Sequence, residues 1–255
     1  MPNPLFASQS RILKICIFAT GCAGIVAEFV LSTLASYLLG NPILQWTILM
    51  SLMLFAMGLG CRISKYILNN LLDKFIFLEF TLSILCGVSV ALCYWSSTFT
   101  KSTGIFIYAF SILIGLLIGA EIPLVTRMNE SYEELRVNIS SVMEKDYYGA
   151  LVGGVLFAFF ALPYLGLTYT PIALGIINFL VASILFWKFK HLLHYKKAIQ
   201  ISFWSITAFF LIFIFVVKPV ILYSEQKKYK DRIIFEQQTS YQKIVITQWK
   251  DKYWL

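Results

Sequence analysis

The sequence predicts an all-α integral membrane bundle of about seven transmembrane helices, followed by a short antiparallel β-hairpin from a truncated soluble domain. Of the 255 residues, 59% are hydrophobic and only 13% are charged, whereas about a quarter of the residues of a soluble domain are charged. Long apolar runs recur along the chain until residue 222, where alternating polar and β-branched residues begin. A water-soluble globule could not hide so much apolar surface, so we expect a lipid bilayer to cover it.

Seven runs are long enough for a transmembrane helix, which needs about 20 mostly apolar residues. They cover residues 12–39, 43–61, 75–95, 104–125, 147–167, 169–187 and 199–222. The link Gly40-Asn41-Pro42 is typical of a tight turn, with glycine at a helix end and proline at the next helix start. The segment 162–166 contains Pro163 and Gly166, and it predicts a break that makes 147–187 a hairpin of two short helices. We therefore predict a transmembrane helical domain over 1–222 and an incomplete β-domain over 223–255.

The distribution of basic residues predicts the orientation, because cytoplasmic loops carry an excess of Lys and Arg. Such residues cluster before the first span and in every second loop: Arg11, Lys14, Arg62, Lys65, Lys74, Arg127, Arg136, Lys145, Lys188, Lys190, Lys196 and Lys197. This pattern favours a multi-pass protein of the cell (inner) membrane with a cytoplasmic N-terminus. The basic tail also looks cytoplasmic, although seven crossings would place it outside. The net charge of +8 is topological in this interpretation, and we expect no nucleic-acid partner.

Two acidic residues fall inside the predicted spans. Glu28 lies near the middle of the first span, and Glu121 lies near the end of the fourth, just before Pro123. A carboxyl group in hydrocarbon is costly and usually faces a partner or a cavity. One interpretation is a cation or proton site between helices, and the other is a protonated carboxyl bonded to a neighbouring helix. Both stay open for Glu28, and the second is favoured for Glu121.

Small residues and cysteines have simpler interpretations. Gly115 with Gly119, and Gly149 with Gly153, are spaced to share one helix face, so backbones can approach closely there. Packing within one chain is favoured over self-association into a homo-oligomer, which stays open. The five cysteines show no CxxC spacing and no nearby pair of histidines, so we predict no metal site.

The tail has strand character. Residues 231–249 are dense in β-branched and aromatic residues with polar residues between them, and a turn is predicted near 238–240. Residues 250–252 predict a second turn, and Tyr253-Trp254-Leu255 begins a third strand. A sheet that stops there leaves an apolar edge exposed, so we expect a soluble domain to follow.

The tail resembles a known family of enzymes. The stretch 231–236, Asp-Arg-Ile-Ile-Phe-Glu, and the stretch 239–245, Thr-Ser-Tyr-Gln-Lys-Ile-Val, are similar to the N-terminal β-hairpin of spermidine synthases, the polyamine aminopropyltransferases. The helical region looks like the membrane domain fused to some bacterial members of that family. The stretches that carry this second resemblance are 27–28, 34–41, 54–60, 120–123 and 146–154.

The resemblance implies aminopropyl transfer from decarboxylated S-adenosylmethionine to putrescine, yielding spermidine. It places Gln242 against the nucleoside donor, where its amide would both donate and accept hydrogen bonds; a surface glutamine on a strand is the alternative. The family's glycine-rich loop and catalytic aspartate have no counterpart here, so we expect no catalytic residue, no cofactor bound by this chain alone and an absent catalytic core. Two other functions stay open: transport or sensing of polyamines or other cations, and a plain membrane anchor.

Overall fold

The computed structural model describes residues 4–100, 102–227, 229–238, 243–250 and 252–254. Seven α-helices are followed by three β-strands, and a π-helical segment lies between the fifth and sixth helices. The helices are α1 (Pro4–Leu39), α2 (Pro42–Ser64), α3 (Leu71–Phe99), α4 (Thr103–Asn129), α5 (Leu135–Leu156), α6 (Gly166–Lys188) and α7 (Lys196–Gln226). The strands are β1 (Arg232–Gln238), β2 (Lys243–Trp249) and β3 (Lys252–Trp254).

The turn between α1 and α2 forms where the sequence predicts it. Gly40 has φ 75° and Asn41 has φ 46°, a left-handed conformation that glycine and asparagine tolerate best. The Asn41 side-chain oxygen accepts a hydrogen bond from the backbone N–H of Leu44 at 3.3 Å. Pro42 follows at the first position of α2, where its missing N–H costs no helical hydrogen bond.

The segment between α5 and α6 differs from the prediction. Phe157–Leu165 is π-helical with Pro163 inside it, so the backbone stays helical through most of the predicted break. It leaves the helical conformation at Gly166, where φ is 61°. The Thr170 hydroxyl lies 2.6 Å from the carbonyl oxygen of Gly166 and 3.1 Å from that of Ala161, so its one proton is shared between two main-chain acceptors beside the proline.

The predicted fold class is therefore wrong as stated. Among the described residues, six helical runs, and not about seven, are long and apolar enough to cross a membrane by length and composition. The count differs because α5, the π-helical segment and α6 form one helical run of 54 residues, Leu135–Lys188; the predicted break within 147–187 is present in this run at Gly166. The tail forms a three-stranded antiparallel sheet in the order β1-β2-β3, so the predicted hairpin is extended by the third strand that the sequence predicts near Tyr253 and Trp254.

Three contacts bring the basic connections to one end of the helical region. Lys14 of α1 pairs with Glu133, and Arg127 donates to the carbonyl oxygen of Ser64 at 2.8 Å. Asp73 of α3 accepts the backbone N–H of Tyr195 at 2.7 Å. The run Leu135–Lys188 starts and finishes beside these contacts, so it folds back on itself at Gly166. At the other end, the Tyr108 hydroxyl donates to the Gln45 side chain at 2.7 Å.

The helices pack most extensively in the pairs α2 with α4, α1 with α5 and α3 with α6. Aromatic rings hold the third pair to α7: Phe179 of α6 lies 5.9 Å from the Phe80 ring and 5.2 Å from the Phe203 ring, between centroids. The core is contiguous, and α1 and α3 contribute many of its fully buried side chains. Polar groups among those buried side chains are therefore enclosed by apolar neighbours.

Candidate functional site

Two carboxyl groups are buried in this interior. Glu79 lies on α3 and is fully buried, and neither of its carboxyl oxygens has a hydrogen-bond partner. Glu121 lies on α4 and is 2% exposed, and its Oε1 also has no hydrogen-bond partner. The two groups are close enough to interact electrostatically. Carboxyl oxygens without a hydrogen-bond partner are energetically costly in an apolar interior, so both residues are candidates for a functional site.

A third carboxyl group and a hydroxyl complete the cluster. Asp146 on α5 interacts electrostatically with Glu121, and the Thr20 hydroxyl on α1 lies within hydrogen-bonding reach of Glu121. A Cβ atom on Gly21 would lie 2.7 Å from Asp146 Oδ1, so the carboxyl group rests against the α1 backbone. We call Glu79, Glu121 and Asp146 the carboxyl cluster; its members come from α3, α4 and α5.

Glycines let the surrounding helices come close enough to enclose the cluster. A Cβ atom on Gly149 would overlap the carbonyl oxygen of Phe18 in α1, and one on Gly119 would overlap that of Met57 in α2. Gly153 and Gly115 likewise face α1 and α2. The predicted packing role of these glycines within one chain is confirmed for the described residues.

Other buried polar side chains lie beside the cluster, between α3 and α6. The Asn178 amide nitrogen of α6 lies 3.9 Å from the Cys86 sulfur of α3, and Cys86 is close enough to interact with both Glu79 and Glu121. The Asn178 Oδ1 and the Ser83 Oγ are buried without a hydrogen-bond partner. These groups add unfilled hydrogen-bonding capacity on the α6 side of Glu79.

The structure places the three residues predicted from the sequence in different surroundings or outside the described residues. Glu121 belongs to the carboxyl cluster. Glu28 is also buried, but it lies eight residues beyond Thr20 on α1, or about 12 Å along the helix axis, and it is not among the acids that interact with Glu121. Gln242 lies outside the described residues. Neither residue has its predicted role tested by the structure.

Glu79 and Asp146 were not predicted from the sequence as site residues. Glu79 stands in Phe77-Leu78-Glu79-Phe80 inside an apolar run, and the same reasoning that selected Glu28 would have selected it. Asp146 is less visible because it follows the charged pair Glu144 and Lys145, which makes it look like part of a solvated surface. Among the described residues, no group of three or more His, Cys, Asp or Glu side chains is arranged to hold a metal ion.

The basic end of the bundle has its own polar network. The Glu133 Oε1 accepts hydrogen bonds from Lys14 at 2.6 Å and from Ser10 at 3.0 Å. Burial raises the pKa of the Glu133 carboxyl, but hydrogen bonds from Lys14 and Ser10 and the Lys14 charge lower that pKa more, so it lies below its ordinary value. The Asn129 amide donates to Asn138 at 2.8 Å. This network joins α1 to the start of α5 and is structural in character.

Comparison with known proteins connects the chain to one group of enzymes. It is 46% identical over 249 residues to polyamine aminopropyltransferase 2 of Aquifex aeolicus. The aligned region covers 96% of this chain and 49% of that relative. It is 35% identical to the polyamine aminopropyltransferase of Leptospira interrogans, over 94% of this chain and 48% of the relative. It is 32% identical to the polyamine aminopropyltransferase of Oceanobacillus iheyensis, over 97% of this chain and 49% of that relative. The chain thus spans about half the length of the curated relatives it matches.

These matches run through the helices and the strands together, so they do not support a division into a membrane bundle and a truncated fragment. They do not support the expected absence of a catalytic core either. No protein-family model matches the chain. No solved structure matches it.

Proposed function

We propose that this chain, a homologue of the polyamine aminopropyltransferases over 96% of its length, is part of an enzyme that transfers an aminopropyl group to a polyamine. The donor is decarboxylated S-adenosylmethionine and the acceptor is putrescine, in keeping with the resemblance of residues 231–245. The observation that carries the proposal is the 46% identity to the Aquifex aeolicus relative, which extends from the first helices to the strands.

The strands support the same proposal locally. Residues 232–238 and 243–249 form the antiparallel pair β1 and β2, with Gln238 opposite Lys243. Gln242 directly precedes β2 in the sequence. We assign it a contact to the donor nucleoside, because its amide offers both a hydrogen-bond donor and an acceptor.

A location in the cell membrane, with a cytoplasmic N-terminus, belongs to the same proposal. Within the described part of the chain, six helical runs have the required length and composition, and connections that carry basic residues lie together at one end. Reporter fusions test this: a fluorescent protein inserted at Glu130 should fold and fluoresce, whereas alkaline phosphatase at the same position should be inactive. The opposite pair of results would reverse the orientation, and recovery in the soluble fraction would remove the membrane.

Polyamine transport or sensing is a second candidate function. The observation that favours it is the carboxyl cluster, because buried acids suit a cationic amine. Uptake of labelled putrescine into liposomes that contain the full chain tests it. Higher putrescine accumulation than in protein-free liposomes supports transport. Equal accumulation in the two kinds of liposome excludes transport.

The polyamine content of cells tests the proposed enzyme activity. Cells that lack the gene should lose spermidine and accumulate putrescine, and the wild-type gene should reverse both changes. A gene carrying Gln242→Ala should restore spermidine poorly. Gln248→Ala is the matched control, because the half-buried Gln248 donates its side-chain amide locally, to the Lys250 carbonyl oxygen at 3.0 Å. Unchanged spermidine in cells without the gene would argue against the activity.

A further inference from the structure

We propose that a cavity at the basic end of the bundle binds the phosphate group of an anionic phospholipid. The cavity has a volume of about 270 Å³ and is lined by residues of α1, the start of α3, the end of α4 and the connection from α6 to α7. The choice of a lipid as the source of the phosphate rests on the proposed membrane location. The preference for a phosphate rests on the cavity itself.

Arg127 lines the cavity, and main-chain carbonyl groups hold its guanidinium group in place. Its Nη1 and Nη2 donate to the carbonyl oxygens of Ile67 and Ser64, both at 2.8 Å, and its Nε donates to that of Pro123 at 3.3 Å. A guanidinium group has five N–H donors, so two remain for a ligand. Because the group is already fixed, binding a ligand costs little side-chain entropy.

The charge of Arg127 favours an anion as that ligand. The described residues include no acid that forms an ion pair with Arg127, since their ion pairs are Lys14 with Glu133 and Lys145 with Glu144. Arg127 is half-buried, so water screens its charge only in part. The planar guanidinium fork also matches the spacing of phosphate oxygens.

Three acids directly neighbour lining residues in the sequence, and the charge of each is stabilised elsewhere. Glu130 is exposed to water. The Glu133 carboxylate pairs with Lys14 at 2.6 Å. The Asp73 Oδ1 accepts the backbone N–H groups of residues 194 and 195 at 2.9 and 2.7 Å. These contacts leave the guanidinium charge for a ligand.

Hydroxyl groups stand beside the guanidinium in the lining. Ser131 and Tyr132 both line the cavity, and a hydroxyl group can donate a hydrogen bond to a phosphate oxygen. Ser131 is exposed and lies four residues after Arg127, in the turn that follows α4. Its side chain can therefore be replaced without disturbing the packed core.

The remaining wall favours a lipid over free phosphate, because it is apolar. It includes Leu13, Leu71, Leu72, Phe189 and Leu192. A free phosphate would leave these side chains without an apolar contact, whereas the carbon atoms next to a lipid phosphate would cover them. Small-molecule sites typically measure about 300–1,000 Å³, so this cavity suits a headgroup phosphate and its adjoining atoms rather than a whole lipid.

Native mass spectrometry of the full-length protein in detergent tests the proposal. The probes are phosphatidylglycerol and phosphatidylcholine with identical acyl chains. We expect phosphatidylglycerol to bind about tenfold more tightly, because only its headgroup carries a net negative charge. Ser131→Glu should abolish this preference, because it places a carboxylate in the lining. Arg127→Gln should weaken phosphatidylglycerol binding by about tenfold.

Ser140→Glu and Arg136→Gln are the matched controls. Both residues are exposed and lie outside the lining of the cavity, so both variants should bind like wild type. Arg127 also bonds to the end of α2, and Arg127→Gln can lose stability for that reason. Ser131→Glu changes an exposed position and decides the outcome without it.

Three results would overturn the proposal. The first is equal binding of the two lipids to wild type. The second is equal phosphatidylglycerol binding by wild type and Ser131→Glu. The third is displacement of phosphatidylglycerol by inorganic phosphate at equal concentration, which would make the cavity a site for free phosphate.

Failure of this site is distinguishable from failure of the proposed membrane location. Recovery of the wild-type protein in the soluble fraction would contradict the location. A protein that stays in the membrane fraction and shows no preference between the two lipids would retain the location and contradict the site.

Discussion

The Nζ atom of Lys14 lies 2.6 Å from the Oε1 atom of Glu133, and this ion pair ties α1 to the connection between α4 and α5. The Lys14 and Glu133 side chains are 18% and 24% exposed, so water screens the pair only in part. A double-mutant cycle with Lys14→Met and Glu133→Gln should give a coupling energy of about 1 kcal/mol. Thermal unfolding in detergent measures it. The more exposed pair Lys145–Glu144 is the control and should give less; equal coupling in both pairs would contradict the account.

The same pair predicts a pH dependence. The pKa of Glu133 is lower in the folded protein than its ordinary value of 4.5, so the carboxylate form stabilises the fold. This contribution is complete above the ordinary pKa and is lost as the pH falls through it towards the folded pKa. The difference in melting temperature between wild type and Glu133→Gln should therefore shrink between pH 6 and about pH 4. A constant difference over that range would contradict the lowered pKa.

Gly149 should be intolerant of a side chain. Alanine is about 1 kcal/mol better than glycine in a helix, but a Cβ at position 149 would overlap the Phe18 carbonyl oxygen. We expect Gly149→Ala to destabilise the protein by about 1–3 kcal/mol, as overpacking does. Gly58→Ala is the control, because nothing lies within 4 Å of a Cβ there, and it should be neutral or stabilising. Equal melting temperatures for both variants would show that α1 and α5 do not touch at Gly149.

Asp73 connects the start of α3 to the start of α7. Its Oδ1 accepts backbone N–H groups of His194 and Tyr195 at 2.9 and 2.7 Å, and the residue is 2% exposed. Asp73→Ala leaves both donors without a partner, which should cost about 1–3 kcal/mol. Asp73→Asn keeps an acceptor and should cost less. Unfolding measurements on both variants decide this, and an equal loss in the two would assign the effect to charge alone.

The sequence predicts local features of this protein better than its long-range pairings. The turn at Gly40 and Asn41 and the strands on either side of 239–242 follow from residue types and alternation, which act over a few residues. The course of the chain around Pro163 does not follow, because a π-helical segment can accommodate a proline that would otherwise end the helix. Glu121 is recognisable as an acid in an apolar run, but its proximity to Glu79 and Asp146 depends on how three helices pack.

Aminopropyl transfer by the purified protein tests the central claim most directly. The full-length protein, extracted from its own cells with an affinity tag, is incubated with putrescine and with decarboxylated S-adenosylmethionine labelled in its aminopropyl group. We predict labelled spermidine that depends on both substrates, with a higher KM for the donor in Gln242→Ala and an unchanged KM in Gln248→Ala. The same assay is repeated with spermidine as the acceptor. If the protein elutes as a folded species but forms no labelled product from either acceptor, the assignment to aminopropyl transfer is contradicted.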